Sequence, residues 1–477
     1  MRRTRRKAKR TPRKRPQEPL WGAGFASAAG EALKRLSVSH PFDRRLAAFD
    51  LRGSLAHARG LARAGLLTPA ALLRIDRAIR KIGREIEAGT FRFADADEDI
   101  HLNVERRLIE LAGEAGRRIH AGRSRNDQVA LDLRLWTLGA IDRASERIVS
   151  LAGVLLDRAG EFLEEGVVVA ARTHLRTAQP VLLAHVFHAW VEMLLRDLGR
   201  LRDGRVRAAV SPLGSGACAG STLPLDREGV ARELGLPAVT ANSLDAVSDR
   251  DFAVEFEAAA ALAMAHLSRI AEDLILWTGE EFRLFALSDA TATGSSMMPQ
   301  KKNPDSLELT RGKAGRVFGN LVATLAVLKG LPSSYDRDLQ ETQEPLFDTA
   351  DSLELSLAAV AEVVAGLRLR PGAERAPISP SSLATDFAEE MVRRGLPFRT
   401  AHERVARWSR TAAESGRDLR EVVWTEAPQM RAFAEALSPE SSVRRRDGIG
   451  GTSPRRVRAA LRRARRSLAP ERPLRPL

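Results

Sequence analysis

Between Thr293 and Asp305 the chain reads Thr-Gly-Ser-Ser-Met-Met-Pro-Gln-Lys-Lys-Asn-Pro-Asp, its densest run of groups able to move protons and hold negative charge. Gly294 frees the backbone, the serines offer hydroxyls, Lys301 and Lys302 offer ammonium donors, and Asn303 offers an amide. Asn303-Pro304-Asp305 predicts a helix start, with an N-cap amide, a proline in the first helical position and an acid in the first turn. The unpaired N–H groups and partial positive charge of such a terminus attract a carboxylate or a developing anion. An anionic substrate is therefore expected. A solvated loop between helices would share this composition, so the other polar stretches have to agree.

Four further stretches are comparably polar. His120-Ala-Gly-Arg-Ser-Arg-Asn-Asp-Gln sets Ser124, Arg125 and Asn126 together, and planar guanidinium forks suit carboxylates. Ala171 to Pro180 places Thr173 and His174 ahead of an expected proline-started helix, and Asn242 to Phe252 precedes another helix, with Asp249-Arg250-Asp251 read as its ion-paired start. Gly330 to Glu341 contains Tyr335, the only tyrosine, and Gln340. Ser211 to Gly220 is glycine-rich but lacks the lysine and spacing of a phosphate loop. His185 and His188 read as packing or surface residues, although their spacing could hold a metal; no zinc-type pattern is present and no metal is expected.

The elements that must position these groups are long helices. Apolar residues recur at three and four spacing over Val129–Glu165, Pro180–Ala209, Asp249–Glu280 and Pro304–Leu331, the last about 42 Å long at 1.5 Å per residue. Several are apolar on more than one side, which predicts an all-α bundle that associates with copies of itself. Strand signals are scarce, with no Asn-Gly hairpin. Before the bundle come short helices with loops, including irregular Leu20–Phe25 and a helix led in by Asp97-Glu98-Asp99-Ile100-His101 and running through Arg118. A third helical region follows Arg370-Pro-Gly. The expected division is a basic tail at 1–16, an N-terminal region at 17–122, the central bundle at 123–371 and a C-terminal region at 372–477.

At 477 residues, 44% hydrophobic and 29% charged, the chain can bury a large core, and no apolar run is long enough for a membrane span or a secretory signal. A single cysteine, Cys218, excludes an internal disulfide and fits a reducing compartment such as the cytoplasm. The net charge of +15 is concentrated: residues 1–16 hold ten Lys and Arg and no acid, and without them +5 remains. Such a run cannot bury a core and reads as a disordered tail, and nucleic-acid binding through it is not expected. Arg455 to Arg466, interleaved with Val457 and Leu461, predicts an amphipathic surface helix.

Gly-Ser-Ser-x-Met-Pro-x-Lys-x-Asn-Pro at 294–304 resembles the signature of the aspartase/fumarase superfamily, whose members eliminate fumarate from succinyl-bearing substrates. Its Gln-Lys-Lys-Asn-Pro-Asp form, together with the stretches at 120–128, 173–180 and 242–252 in the same order, resembles the argininosuccinate lyase family, and the likeness runs from about Leu20 to Gly450-Gly451-Thr452. The resemblance implies three helical regions and a homotetramer on a shared long-helix bundle, each active site being lined by loops of three subunits. It implies Ser295 as the general base, Lys301 and Asn303 on the carboxylate that takes up the carbanion's charge, and His174 supported by Glu308 on the leaving-nitrogen side. Ser124, Arg125, Asn126, Thr173 and His101 would orient the substrate, with Ser39, Tyr335 and Gln340 on the amino-acid side. No cofactor is implied.

Three positions depart from the family pattern: Trp21-Gly-Ala-Gly24-Phe25 where Trp-Gly-Gly-Arg-Phe is usual, Arg176 where a glutamine is usual, and Gln343 where a lysine is usual. None touches Ser295, Lys301, Asn303 or His174, so they bear on the leaving amine and not on the elimination. The competing readings are a lyase for another N-substituted aspartate and a non-catalytic protein like the lens crystallins that resemble this family. An arginine-rich nucleic-acid binder would need the tail.

Overall fold

The computed structural model describes residues 30–94, 97–373 and 378–468. The basic tail at 1–16 and the Trp21–Phe25 segment lie outside the described residues. The principal helices, numbered in chain order, are α1 (Ala47–Arg63), α2 (Pro69–Glu87), α3 (Ile100–Ala112), α4 (Arg125–Glu164), α5 (Leu183–Ala208), α6 (Asp251–Thr278), α7 (Asp305–Leu328), α8 (Gln343–Gly366), α9 (Phe398–Ser415) and α10 (Pro454–Ser467). The fold is all-α, as expected, with short two-stranded ladders between helices.

Helix α4 organises the rest. Ser124 caps its N-terminus, accepting from the Asn126 N–H at 3.3 Å, while Asp127 accepts from the Ser124 N–H at 2.9 Å to complete a capping box. Its 40 residues span about 60 Å, and Leu131, Leu135, Leu138, Ile148, Leu155 and Phe162 are buried along it. Helices α5, α6 and α8 pack on it, α6 also packs on α5 and α8, and α7 packs on α6 and α8. At one end Phe162, Phe187, Trp190, Trp277 and Phe285 interlock, with Phe162–Phe187 centroids 5.1 Å apart and tilted Phe187–Trp190 centroids 4.8 Å apart, which fixes the ends of three helices together.

The C-terminal segment divides. Phe387, Met391, Val405, Trp408, Val422 and Met430 form a separate apolar cluster. Helix α10 instead lies on α4 and α5, with Val457 and Ala464 in the main core and Arg458 and Arg465 paired to Glu164 and Asp157 of α4 at 2.9 and 2.5 Å. The amphipathic reading of this run agrees with its structure, and its apolar stripe faces the bundle. Among the described residues no helix is long and apolar enough to cross a membrane.

Four local expectations are corrected. The stretch around His174 is an antiparallel hairpin, β1 (Val168–Thr173) with β2 (Arg176–Leu182), and the helix begins at Leu183 rather than Pro180. The β-branched run Val167-Val168-Val169 favours extension, and Pro180 is tolerated because a two-stranded ribbon has an outer edge that needs no N–H donor. The helix led in by Asp99 stops at Ala112, where Gly113 takes φ +60. At the signature loop Pro304 is itself the N-cap residue and the helix starts at Asp305, because Asn303 is drawn into a ladder opposite Thr293.

Candidate functional site

The signature loop is closed at its base by β3 (Thr293–Gly294) paired with β4 (Lys302–Asn303). Thr293 Oγ1 donates to Asp305 Oδ2 at 2.6 Å, tying the ladder to the first turn of α7, whose N-terminus has no side-chain cap. Within the loop Ser295 Oγ accepts from the backbone N–H groups of Met297 at 3.3 Å and Met298 at 3.1 Å. Two N–H dipoles aimed at one hydroxyl oxygen stabilise negative charge there, which a serine needs if it is to act as a base. Lys302 is paired with Asp289, whereas the Lys301 ammonium has no side-chain partner among the described residues. Lys301 is exposed and Asn303 half-buried, both beside the helix terminus. Glu308, one turn into α7, faces Arg311 at 3.9 Å.

A second group of residues gathers where the N-terminal region meets α4. Ser39 is buried, its N–H donating to the Glu98 carbonyl at 2.8 Å and its hydroxyl to Asp43 Oδ2 at 2.7 Å. Burial pushes the Asp43 carboxyl up to about 6, against the lowering pull of His101 and Ser39. Arg125 Nε lies 3.1 Å from Asp99 Oδ2 and its NH1 donates to Gln128 Oε1 at 2.7 Å. Asn126 Nδ2 donates to the Ala217 carbonyl at 3.1 Å. Asp127, next in the chain, accepts from the N–H groups of Gly214 and Gly216, both at 2.9 Å. The glycine-rich loop is therefore wrapped around a carboxylate: Gly216 has φ +62, and a Cβ there would lie 2.8 Å from the Gly220 carbonyl.

His101, expected to orient substrate, is 2% exposed, and its Nδ1 lies 3.3 Å from both Asp50 Oδ1 and Asp132 Oδ2. Burial pushes the Asp132 carboxyl well up, with the neighbouring Asp50 adding to the rise, while Asp50, itself buried, is held low by His101 and Gln128. Two carboxylates and an imidazole with ligand atoms within 4.8 Å form a donor set that could hold a divalent cation, and the Arg123 and Arg125 guanidiniums already bias it electrostatically. Linear spacing does not reveal this cluster, which draws on three helices, and the guanidiniums of Arg123 and Arg125 beside it work against a cation.

Tyr335 reaches the same region from the segment before α8, and Gln340 lies in the turn Arg337–Thr342 that leads into that helix. Burial raises the Tyr335 phenol, with Arg337 and Arg250 pulling it down and Asp99 and Glu98 pushing it up. Arg337 donates to the Ser37 carbonyl at 2.9 Å and contacts Glu98 Oε1 at 3.5 Å. Arg250, expected to be only part of a helix start, is 1% exposed, and burial draws its guanidinium down to about 10. Gln343, at the start of α8, is 5% exposed and its Oε1 has no partner.

Thr173 and His174 stand apart. They lie at the exposed turn of the β1–β2 hairpin, where His174 and Leu175 take φ +53 and +59, and Arg176 faces Thr173 across the turn. The hairpin is anchored by the Leu182 N–H donating to Thr452 Oγ1 at 2.9 Å. Within one chain His174 makes no contact with Glu308, so the expected pairing is not formed there. Among the described residues no hydrogen bond or ion pair links the signature loop, the Arg125–Tyr335 group and the hairpin turn to one another. Asp43, Asp50, Asp132 and Arg337 were not singled out from the sequence, and Gln128 only closed a quoted stretch; Gln128 and Asp132 lie on α4, while the other three come from three other elements.

A family profile described as Lyase matches residues 24–319, and one described as Argininosuccinate lyase C-terminal matches residues 381–444. Argininosuccinate lyase of Alkalilimnicola ehrlichii is 48% identical over 95% of this chain and 97% of its own length, and that of Symbiobacterium thermophilum is 48% identical over 93% and 97%. Among solved structures, an EDDS lyase variant with bound fumarate superposes with a TM-score of 0.80 at 26% identity, covering 93% of this chain and 91% of that one. Class II fumarase of Schistosoma mansoni shares the fold at a TM-score of 0.72 and 17% identity, over 83% and 90%. Near-complete coverage at this identity joins the serine-bearing loop, the arginine-bearing helix start and the hairpin histidine in one lineage, and the chain belongs to the argininosuccinate lyase family of carbon–nitrogen lyases.

Proposed function

We propose that this protein reversibly eliminates fumarate from N-(L-arginino)succinate, leaving L-arginine. The observation that carries the reading is the pair of backbone N–H groups on Ser295 Oγ. Ser295 takes the proton from the succinyl carbon next to a carboxylate. Lys301, Asn303 and the uncapped N-terminus of α7 hold that carboxylate as its enolate charge develops. His174, backed by Glu308, serves the departing nitrogen, while Ser124, Arg125, Asn126, Thr173 and His101 orient the substrate and Ser39, Tyr335 and Gln340 receive the amino-acid portion. The relatives named argininosuccinate lyase at 48% identity and the EDDS lyase with bound fumarate support the substrate and the product.

No hydrogen bond or ion pair joins the signature loop, the Arg125–Tyr335 group and the hairpin turn within one chain among the described residues, and the catalytic unit proposed is a homotetramer in which three subunits contribute to each site. The surface of α7 supports this: Phe318, Val322 and Leu325 form an outward apolar stripe, with Val322 63% exposed. A second reading, a different N-substituted aspartate as substrate, is favoured by one feature, the neutral amide of Gln343 where the family pattern has an ammonium.

The test is fumarate release, followed by absorbance, from argininosuccinate and a panel of N-substituted aspartates. The parent should release fumarate fastest from argininosuccinate, and Ser295→Ala should lose at least about a hundredfold in kcat with assembly unchanged. Turnover of Ser295→Ala within about tenfold of the parent would place the base elsewhere.

A further inference from the structure

Arg125 is a useful carboxylate clamp only if its fork is held still, and the structure shows what holds it. Gln128, one helical turn further along α4 and 3% exposed, accepts from Arg125 NH1 through Oε1 at 2.7 Å and donates through Nε2 to Asp50 Oδ1. Asp50 is 1% exposed and is fixed in turn by His101, which lies between it and Asp132. On its other side Arg125 Nε meets Asp99 at 3.1 Å, while Glu105 stands 3.7 Å from NH2, beyond hydrogen-bond distance. The guanidinium is thus anchored at two points, and NH1 and NH2 keep N–H donors for a ligand. A carboxamide can accept from a guanidinium at one end and donate to a carboxylate at the other.

We propose that Gln128, anchored on Asp50, is a positioning residue that orients the Arg125 guanidinium for a substrate carboxylate. The proposal rests on the reading of Arg125 as a substrate-binding group and adds a determinant of substrate affinity that touches no substrate. Removing the amide frees the guanidinium to rotate on Asp99 and leaves Asp50 short of a donor. The loss falls on binding of the substrate and not on proton abstraction, which occurs at Ser295.

The test is a double-mutant cycle in KM and kcat on the intact assembly, using Gln128→Met, close in volume, and Gln128→Asn, which keeps an amide too short to span both partners. Each should raise KM for argininosuccinate about tenfold, the worth of one charge-assisted hydrogen bond, with kcat within about threefold. In an Arg125→Gln background, itself raised in KM, the same changes should add less than about twofold, because the group they position is gone. Equal rises in both backgrounds, an unchanged KM, or a loss confined to kcat would each overturn the proposal. A parent that releases no fumarate from argininosuccinate fails at an earlier step and overturns the proposed function itself.

Discussion

Glu257 gives the sharpest quantitative test of the bundle. It lies on α6, is fully buried, and accepts from the Thr324 hydroxyl of α7 at 3.0 Å through Oε1, while Oε2 has no partner. Burial pushes its carboxyl from the ordinary 4.5 up to about 8, only partly offset by the Thr324 hydrogen bond. A carboxyl raised on folding keeps its proton in the native state while the unfolded chain releases it. Stability is therefore lost as pH climbs from 4.5 to about 8 and is flat above that. Between pH 5.5 and about 8, at about 1.4 kcal/mol per unit, the loss is roughly 3 kcal/mol. Glu257→Gln keeps the shape and the acceptor for Thr324 and removes the titration; any cost of its additional N–H is independent of pH and drops out of the comparison. A chain of 477 residues carries an unfolding entropy of about 1 kcal/mol/K, so the Tm difference, variant minus parent, should grow by about 3 °C from pH 5.5 to 8.5. Differential scanning fluorimetry of both proteins in the same buffers measures it. Parallel Tm-against-pH curves would refute the reasoning, for they would show that Glu257 titrates normally in the folded protein.

Two further expectations follow from the surface of α7 and from the start of α8. Val322→Lys places an ammonium in the outward stripe of α7, so light scattering should report species smaller than the parent's assembly, and activity should fall with it if each site is shared among subunits as proposed; an unchanged mass would move the interface elsewhere. Gln343→Lys restores the usual ammonium at a buried position with an unpartnered polar atom, and should lower or preserve KM for argininosuccinate, whereas Arg176→Gln should raise it. Argininosuccinate remaining inert in the parent and both variants, while another succinyl amine yields fumarate, would leave only the superfamily chemistry standing.

The long helices were legible in the sequence because burial imposes a three-to-four residue period on any helix with a wide apolar face: α4, α5, α6 and α7 each begin and end within a few residues of the periodic runs. The candidate catalytic residues were proposed from the sequence for a different reason. A loop that must offer a hydroxyl, an ammonium and an amide at a helix terminus has little freedom in residue type, and Ser295, Lys301 and Asn303 carry that chemistry in their order. What tertiary structure alone decided is the company these residues keep. Asn303 is extended and not a cap because its backbone pairs with Thr293, and the His174 segment is a hairpin tied down by Thr452, far along the chain. The buried chain from Arg125 through Gln128 to Asp50, His101 and Asp132 draws on α4, α1 and α3, and Asp127 draws the distant glycine-rich loop around it. Periodicity and motif spacing report what a residue does along its own helix. Burial of a polar group is set by partners from other elements, because its desolvation must be offset by whichever donors and acceptors the packing brings within reach.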